Sequence, residues 1–416
     1  MKFKLTSLEK KWVLYDVGNS AFTMMVSTIF PIYFNSLAGS AGISDVDYLA
    51  YWGYATSVCT LIVAILGPTL GAIADTKNYK KIIFSIAMGV GVLGCIVLGF
   101  LSSWLWFLII FVLAKTGYSA SLVFYDSMLT DVTEPERMDS VSSHGYAWGY
   151  IGSCIPFIAC LVLVLGADSF GIGMQNAMIL AFIITALWWL LSSVPLLRSY
   201  RQRYFSESGE HIIANSFKRL GRTFLELIRN KRILLFLLAF FFYIDGVYTV
   251  IDMATAYGQA LGLDSTGLLL ALLVTQVVAF PSVLFFSRVI KKVNPETIIT
   301  VCIAAYFCIA VYAYWLDTQF DFWLLAVLVG MFQGTIQALS RSYFAKIIPA
   351  EKSGEFFGIY DICGKGASVI GTALVSFLSQ TTGSINIGVS ALSVMFLIGL
   401  ILFRISARLN KEHKKV

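Results

Sequence analysis

The chain has 416 residues, of which 58% are hydrophobic and only 13% charged, with a mean hydropathy of +0.79. No water-soluble fold can hide that much apolar surface, so the composition excludes a soluble globular protein and indicates a polytopic membrane protein. The net charge of +6 comes from basic residues at segment ends; without a basic surface interleaved with aromatics, nucleic acid is not an expected partner.

In chain order, the basic start from Met1 to Lys11 precedes an apolar run that Asp16 interrupts and that continues to Leu37. It is too long for a cleaved signal peptide and is read as a retained first span. A helix rising about 1.5 Å per residue needs roughly 20 residues to cross a bilayer. Twelve stretches meet that length. The first six are Trp12 to Leu37, Tyr48 to Ala74, Ile82 to Leu101, Trp104 to Leu129, Tyr146 to Gly166 and Met174 to Leu196. The last six are Ile233 to Leu261, Leu268 to Val289, Thr297 to Leu316, Phe322 to Ile347, Phe356 to Leu378 and Ile385 to Phe403. The expected fold is all-α: twelve transmembrane helices in two pseudo-symmetric six-helix bundles, residues 1–197 and 233–416, the second ending in a short basic tail.

Between the bundles, residues 198–232 form the longest polar run, with nine Lys or Arg against three Glu. Phe217, Leu220, Phe224, Leu227 and Ile228 recur there at helical spacing among basic residues, the pattern of a helix lying on an anionic membrane face. Loop charge separates cleanly. One set of loops carries Asp45, Asp47, Asp168, Asp264, Asp317 and Asp321; the alternate set carries Lys77, Lys80, Lys81, Arg137, the linker, Arg288, Lys291, Lys292, Lys346 and Lys352. The positive-inside rule then places both termini and the linker in the cytosol. Short loops point to a bacterial plasma membrane. The halves also echo one another: Tyr15, Asp16 and Gly18 in span 1 answer Tyr243, Asp245 and Gly246 in span 7, as parallel repeats predict.

Residues Gly71 to Lys81 (GAIADTKNYKK) end span 2 and open span 3. The stretch resembles the cytosolic loop signature of the major facilitator superfamily. Thr76 departs from it where a basic residue is preferred, and Asn78 where Gly is preferred. The resemblance implies that Gly71 permits close helix approach and that Asp75, Lys80 and Lys81 latch the halves together on the cytosolic side. Trp12 to Phe22 (WVLYDVGNSAF), Tyr243 to Val250 (YIDGVYTV) and the run from Gly330 to Gly371 look narrower still. They resemble the vacuole-effluxer-like branch of that superfamily, also called the unknown major facilitator family, whose eukaryotic members are associated with amino-acid efflux. This implies the fold and a transport class across essentially the whole chain.

Intramembrane charges cost about 2.5 to 3.5 kcal/mol each at a helix centre and therefore mark function. Asp16, Asn19, Thr23 and Ser27 share a face of span 1; Lys115, Ser119 and Asp126 of span 4; Asp245, Thr249 and Asp252 of span 7; Gln333 and Gln337 of span 10. Polar stripes on these four spans suit a central aqueous site. The expected substrate residues are Asp16, Asn19, Lys115, Ser119, Asp245, Thr249, Asp252, Gln333 and Gln337. Lys115 would attract a carboxylate, and Asp245 or Asp252 an ammonium group. Asp245, Asp252 and Asp16 are the proton-coupling candidates, because a desolvated carboxyl can load and unload near neutral pH. Asp126 and Arg341, near span ends, fit the cytosolic latch. Asp361 and Lys365, four residues apart on one helix, read as a structural ion pair.

The glycines 89, 91 and 94 spell GxGxxG inside a span with no preceding strand, so they read as helix packing rather than a nucleotide loop. The seven cysteines lack a CxxC pair. No metal set, cofactor motif or catalytic triad emerges, so no enzyme is expected. The reading is a monomeric secondary transporter working by alternating access. Its partners are the lipid bilayer, a small zwitterionic or carboxylated metabolite such as an amino acid, and protons, with export as the direction. The alternatives are a carrier of lipids or amphipathic drugs and a non-transporting membrane scaffold or sensor.

Overall fold

The computed structural model describes residues 3–206, 212–260, 265–365 and 368–413; within them the side chains at 212–219, at 252 and at a few other helix positions lie outside the description. Among the described residues twelve helical stretches are long and apolar enough to span a bilayer, matching the expected number. Span 1 comprises α1 (Ser7–Ser27) and α2 (Ile29–Ser40), which meet at Thr28. It is followed by α3 (Asp45–Ala74), α4 (Tyr79–Leu98), α5 (Trp104–Ser127) with the one-turn α6 (Leu129–Val132), α7 (Met138–Leu165) and α8 (Gly173–Ser199). The linker carries α9 (Ile212–Arg229). The second set comprises α10 (Lys231–Ala260), α11 (Ser265–Val289), α12 (Pro295–Tyr312) and α13 (Gln319–Ile347). Then α14 (Ser353–Lys365) and α15 (Ser368–Thr382) share one span, and α16 (Ile385–Ser390) precedes α17 (Leu392–His413).

Each span divides between a lipid face and a packed face. On α4, Ile82, Ile86, Val90, Leu93 and Val97 are exposed at helical spacing, while Phe84, Met88, Val92, Cys95 and Leu98 are buried. Gly91 and Gly94 allow that packed face to touch α5 and α8: a Cβ on Gly91 would lie 2.5 Å from the Trp189 ring, and one on Gly94 2.7 Å from Ala114. Two glycines of the GxGxxG run, Gly91 and Gly94, thus serve helix packing, while a Cβ on Gly89 would meet nothing within 4 Å.

The start of α1 is fixed by a capping box, with Thr6 Oγ1 accepting from the Glu9 amide at 3.2 Å and Glu9 Oε2 from the Thr6 amide at 2.7 Å. The buried Glu9 carboxylate also accepts from Arg137 at 2.7 and 2.8 Å and from Thr133 at 2.6 Å. One side chain therefore starts a helix and fastens it to the turn before α7. On α9, Thr223 and Leu227 are buried, while Phe224, Leu225 and Ile228 remain exposed beside Arg222 and Arg229. An exposed face of that mixed composition suits the interfacial position expected of it.

The internal repeat is visible in side-chain chemistry. The Tyr15 hydroxyl bonds Ser121 between spans 1 and 4 at 2.7 Å. The Tyr243 hydroxyl bonds Ser340 between spans 7 and 10 at 2.6 Å. All four side chains are buried or nearly so, and each pair staples the same two positions of its six-helix set.

Candidate functional site

The two sets of six helices meet most closely at the end that bears the linker. There α3 crosses α14 backbone to backbone. A Cβ on Gly71 would lie 2.3 Å from Gly354 O, and one on Gly358 2.5 Å from Pro68 N. With both surfaces bare, Asp75 at the end of α3 reaches the first turn of α14. Its Oδ1 accepts from the Gly354 amide at 2.7 Å and its Oδ2 from the Glu355 amide at 2.9 Å. A carboxylate of one set thus caps a helix of the other, where the helix dipole favours negative charge. Lys80 completes the latch. Its Nζ lies 3.7 Å from Asp75, 3.3 Å from Asp131 and 2.8 Å from Ser353 Oγ, with all three charged side chains fully buried.

The departures from the superfamily signature have local explanations. Asn78 sits at φ 68°, in the left-handed region where Gly is usual and Asn is the best tolerated alternative. Thr76 is buried and forms an isolated bridge with Ser206 of the linker, which leaves no room for a long basic side chain. One expectation is corrected: Lys81 is exposed and takes no part in the latch. Its expected place is taken by Asp131, which the sequence reading missed. Besides Lys80, Asp131 accepts from the Tyr200 hydroxyl at 2.5 Å and from the amides of Arg203 and Tyr204 at 3.0 and 2.9 Å. The Ser206 amide donates to Asp75 O at 2.8 Å. Residues 200–206 are therefore a strap laid over the latch, not a free tether.

Burial raises the Asp75 carboxyl from its ordinary 3.8 to about 7, against the opposing pull of Lys80 and the two amides. The sealed arrangement consequently holds the proton more tightly than an open one in which water reaches Asp75. Its stability is fully present at low pH and is lost as pH rises through about 7. Moving from pH 8 to pH 6 is expected to favour the sealed arrangement by about tenfold. Distances between spin labels on Lys81→Cys and Glu351→Cys, in a background without the native cysteines, would report this. Asp75→Asn should leave them insensitive to pH.

One layer deeper, Arg341 of α13 enters the first six helices and is 2% exposed. Its Nη1 donates to Asp126 at 2.8 Å, its Nη2 to Asp16 at 3.4 Å and to Ser142 O at 3.2 Å, and its Nε to Ser142 Oγ at 2.9 Å. The guanidinium also lies 4.6 Å from the Trp12 ring and 4.4 Å from that of Tyr146. Gly145 makes room for this, since a Cβ there would come within 2.5 Å of Asp16 Oδ2. Asp126 and Arg341, expected together at the cytosolic latch, form an ion pair between the two sets. Asp16 and Asn19 belong to the same cluster, with Asn19 donating to Asp16 at 3.3 Å, rather than to a separate substrate site. Nearby, Asp139 accepts from Ser342 at 2.7 Å and Lys346 at 2.5 Å, a further cross-contact that the sequence did not single out.

Beyond Arg341 several polar side chains are less buried. Thr23 and Ser27 are exposed, and Thr23 bonds the Tyr118 hydroxyl at 2.5 Å. Lys115 is half-buried, its Nζ 5.6 Å from the Phe111 ring. Asp361 and Lys365 make the expected pair at 2.7 Å, also half-buried. Gln337 donates to the Tyr150 hydroxyl at 3.4 Å across the seam, and Ser119 is buried on α5.

Asp245 behaves differently from its span 1 counterpart. It is 0% exposed, and its Oδ1 accepts from the Gly371 amide at 3.1 Å and from Thr249 at 3.2 Å. A Cβ on Gly371 would meet both side chains. Asp245 Oδ1 therefore fastens α15 to α10, and the buried side chain, whose Oδ2 has no partner among the described residues, does not face the open space expected of a substrate ligand. Asp252 lies outside the described side chains. Within the second set, an apolar cavity of about 90 Å³ is lined by Thr249, Tyr257, Thr275, Gln276 and Gln333 among aliphatic residues. Gln333 Nε2 has no hydrogen-bond partner among the described residues.

Comparison with known proteins agrees with this architecture. Residues 7–137 and 130–415 match the family described as vacuole effluxer Atg22 like. The MFS-type transporter YxiO of Bacillus subtilis (strain 168) is 43% identical over 407 residues, covering 97% of this chain and 95% of its own. Autophagy-related protein 22 of Coccidioides immitis (strain RS) is 24% identical over 436 residues, covering 85% and 72% respectively. Among solved structures, a bacterial homologue of the iron transporter ferroportin in its outward-facing state superposes with TM-score 0.69 at 15% identity, over 96% of this chain and 99% of that one. The proton:xylose symporter XylE superposes with TM-score 0.71 at 10% identity, over 95% and 93%. Identity that low speaks for the fold alone; the family rests on the sequence matches, and by them this chain belongs to the vacuole effluxer Atg22-like family of MFS-type membrane transporters.

Proposed function

We propose that the protein exports a small zwitterionic or carboxylated metabolite, such as an amino acid, by proton-coupled alternating access. The bundles 1–197 and 233–416 rock about the 198–232 linker. The carrying observation is one-sided closure around Arg341: a guanidinium from the second bundle sits between two carboxylates of the first, while polar groups beyond it stay exposed. Opening the linker side withdraws Arg341 from Asp16 and Asp126, leaving the two carboxylates to be hydrated or protonated. That links proton uptake to the gate and favours Asp16 over Asp245 as coupling residue. The basic loops support a cytosolic linker side and both termini in the cytosol, with the plasma membrane of a bacterium as the setting. Lys115 and Lys365 suit a substrate carboxylate and Asp361 an ammonium group. The family description supports efflux as the direction.

Purified protein in proteoliposomes, offered amino acids and other carboxylates with and without a pH gradient, tests this. The gradient should drive wild-type transport. Asp16→Asn should keep exchange but lose gradient drive, and a folded Lys115→Ala should lose transport by about tenfold or more. Wild-type transport indifferent to the gradient would remove proton coupling. A second reading, a carrier of lipids or amphipathic compounds, is favoured by the apolar cavity beside Gln333; movement of fluorescent lipids but of no small metabolite would select it.

A further inference from the structure

A second cavity, of about 320 Å³, lies on the linker side and is lined by Phe3, His144, Leu284, Ser287, Arg288 and Lys291. Phe3 comes from the N-terminal segment and His144 from α7, while the other four belong to α11 and the turn after it. The cavity therefore bridges the two bundles. Its chemistry is one-signed. Arg288 and Lys291 are exposed, and among the described residues neither makes an ion pair and no carboxylate lines the walls. Glu9, at the start of α1, is already occupied by Arg137, Thr133 and its own helix cap.

The floor is arranged as well as the charge. The Phe3 ring holds the Arg137 guanidinium at 4.6 Å on one side and Lys291 Nζ at 5.5 Å, and lies 5.4 Å from the His144 ring. His144 Nδ1 donates to Ser140 O at 2.7 Å, so Nε2 of the neutral ring is an acceptor and His144 serves as a wall of the cavity rather than as a donor to an anion. Two cations and the Ser287 hydroxyl thus line a space large enough for a phosphate group, with the His144 and Phe3 rings as its other walls. Basic hollows between transmembrane helices are suited to acidic head groups.

We propose that this cavity binds a phosphate-bearing anion, with the head group of an anionic phospholipid as the favoured source. An anion held by the second bundle and walled in by Phe3 and His144 of the first is better enclosed when the two are together at this end, so it stabilises the sealed arrangement. That conformational effect rests on the alternating-access reading; the binding does not.

The test is binding to the full-length protein in detergent, followed by native mass spectrometry and thermal unfolding, with phosphatidylglycerol, phosphatidylcholine or inorganic phosphate added. Arg288 and Lys291 are exposed, so R288A/K291A should unfold at the wild-type temperature when nothing is added. It should bind phosphatidylglycerol about thirtyfold more weakly than wild type. The control R404A/R408A, which removes two exposed cations from α17, should bind it as wild type does. Stabilisation by inorganic phosphate, lost in R288A/K291A, would uphold the site with a soluble ligand as its source. Equal phosphatidylglycerol binding by R288A/K291A and wild type, equal loss in the control, or equally tight phosphatidylcholine would overturn the proposal.

Discussion

Arg341→Ala is expected to abolish transport and to destabilise the protein by about 3 to 5 kcal/mol, the usual consequence of removing one partner from a buried ionic cluster. The arginine is 2% exposed and meets Asp16, Asp126 and two acceptors on Ser142. Without it, two carboxylates remain near each other in a site whose walls include the Trp12, Tyr125 and Tyr146 rings. The repulsion is the principal cost, so Asp16→Asn with Asp126→Asn should restore most of the lost stability to Arg341→Ala. Transport should stay lost, because the cross-bundle seal is still missing. Arg341→Lys would keep the charge but not the fork that reaches Asp126 and Ser142 together, and should fall between the two. Thermal unfolding in detergent and proteoliposome flux separate these outcomes. An Arg341→Ala protein that unfolds at the wild-type temperature would refute the clustered arrangement.

Gly71→Ala is expected to hold the linker side open. The new Cβ would lie 2.3 Å from Gly354 O and 2.6 Å from Gly354 C. Both are backbone atoms of a helix end, so no side chain can swing aside, and the bundles themselves must part. Parting pulls Asp75 from the Gly354 and Glu355 amides, which lie only 2.7 and 2.9 Å away. The loss therefore exceeds the volume of one methyl group, and transport should fall by at least about a hundredfold, equivalent to roughly 2.7 kcal/mol on the sealed state. Gly89→Ala on α4, where a Cβ meets nothing within 4 Å, is the matched control. Spin-label distances between Lys81→Cys and Glu351→Cys should lengthen in Gly71→Ala alone. Unchanged distances would show that the helices tolerate a side chain at their crossing.

Much of this architecture was legible in the residues. Span number, the paired halves and the Asp75 and Lys80 elements of the latch follow from hydrophobic length, loop charge and one motif, each a local signal. What was missed is non-local. Asp131 looks like an ordinary loop acid, because two of its partners are backbone amides of Arg203 and Tyr204, some 70 residues on. Backbone donors leave no trace in composition. Glu9 likewise reads only as a helix-start acid until Arg137 is brought beside it. Asp245 was misplaced for a different reason. Its polar face with Thr249 has the same spacing as a cavity-lining stripe, and helical periodicity cannot tell a wet space from the Gly371 amide of a neighbouring helix. Asp16 was assigned to the substrate because the sequence does not show that Arg341 reaches it from the other bundle.

The bare crossing of α3 and α14 has a mechanical corollary. Packed helices ordinarily interlock through ridges and grooves, and tilting one over the other means lifting side chains out of their slots. Gly67 against Gly358 and Gly71 against Gly354 offer no such teeth. That seam acts as a smooth bearing which guides a rolling motion while adding little friction, so the work of switching is concentrated in the polar groups at its rim.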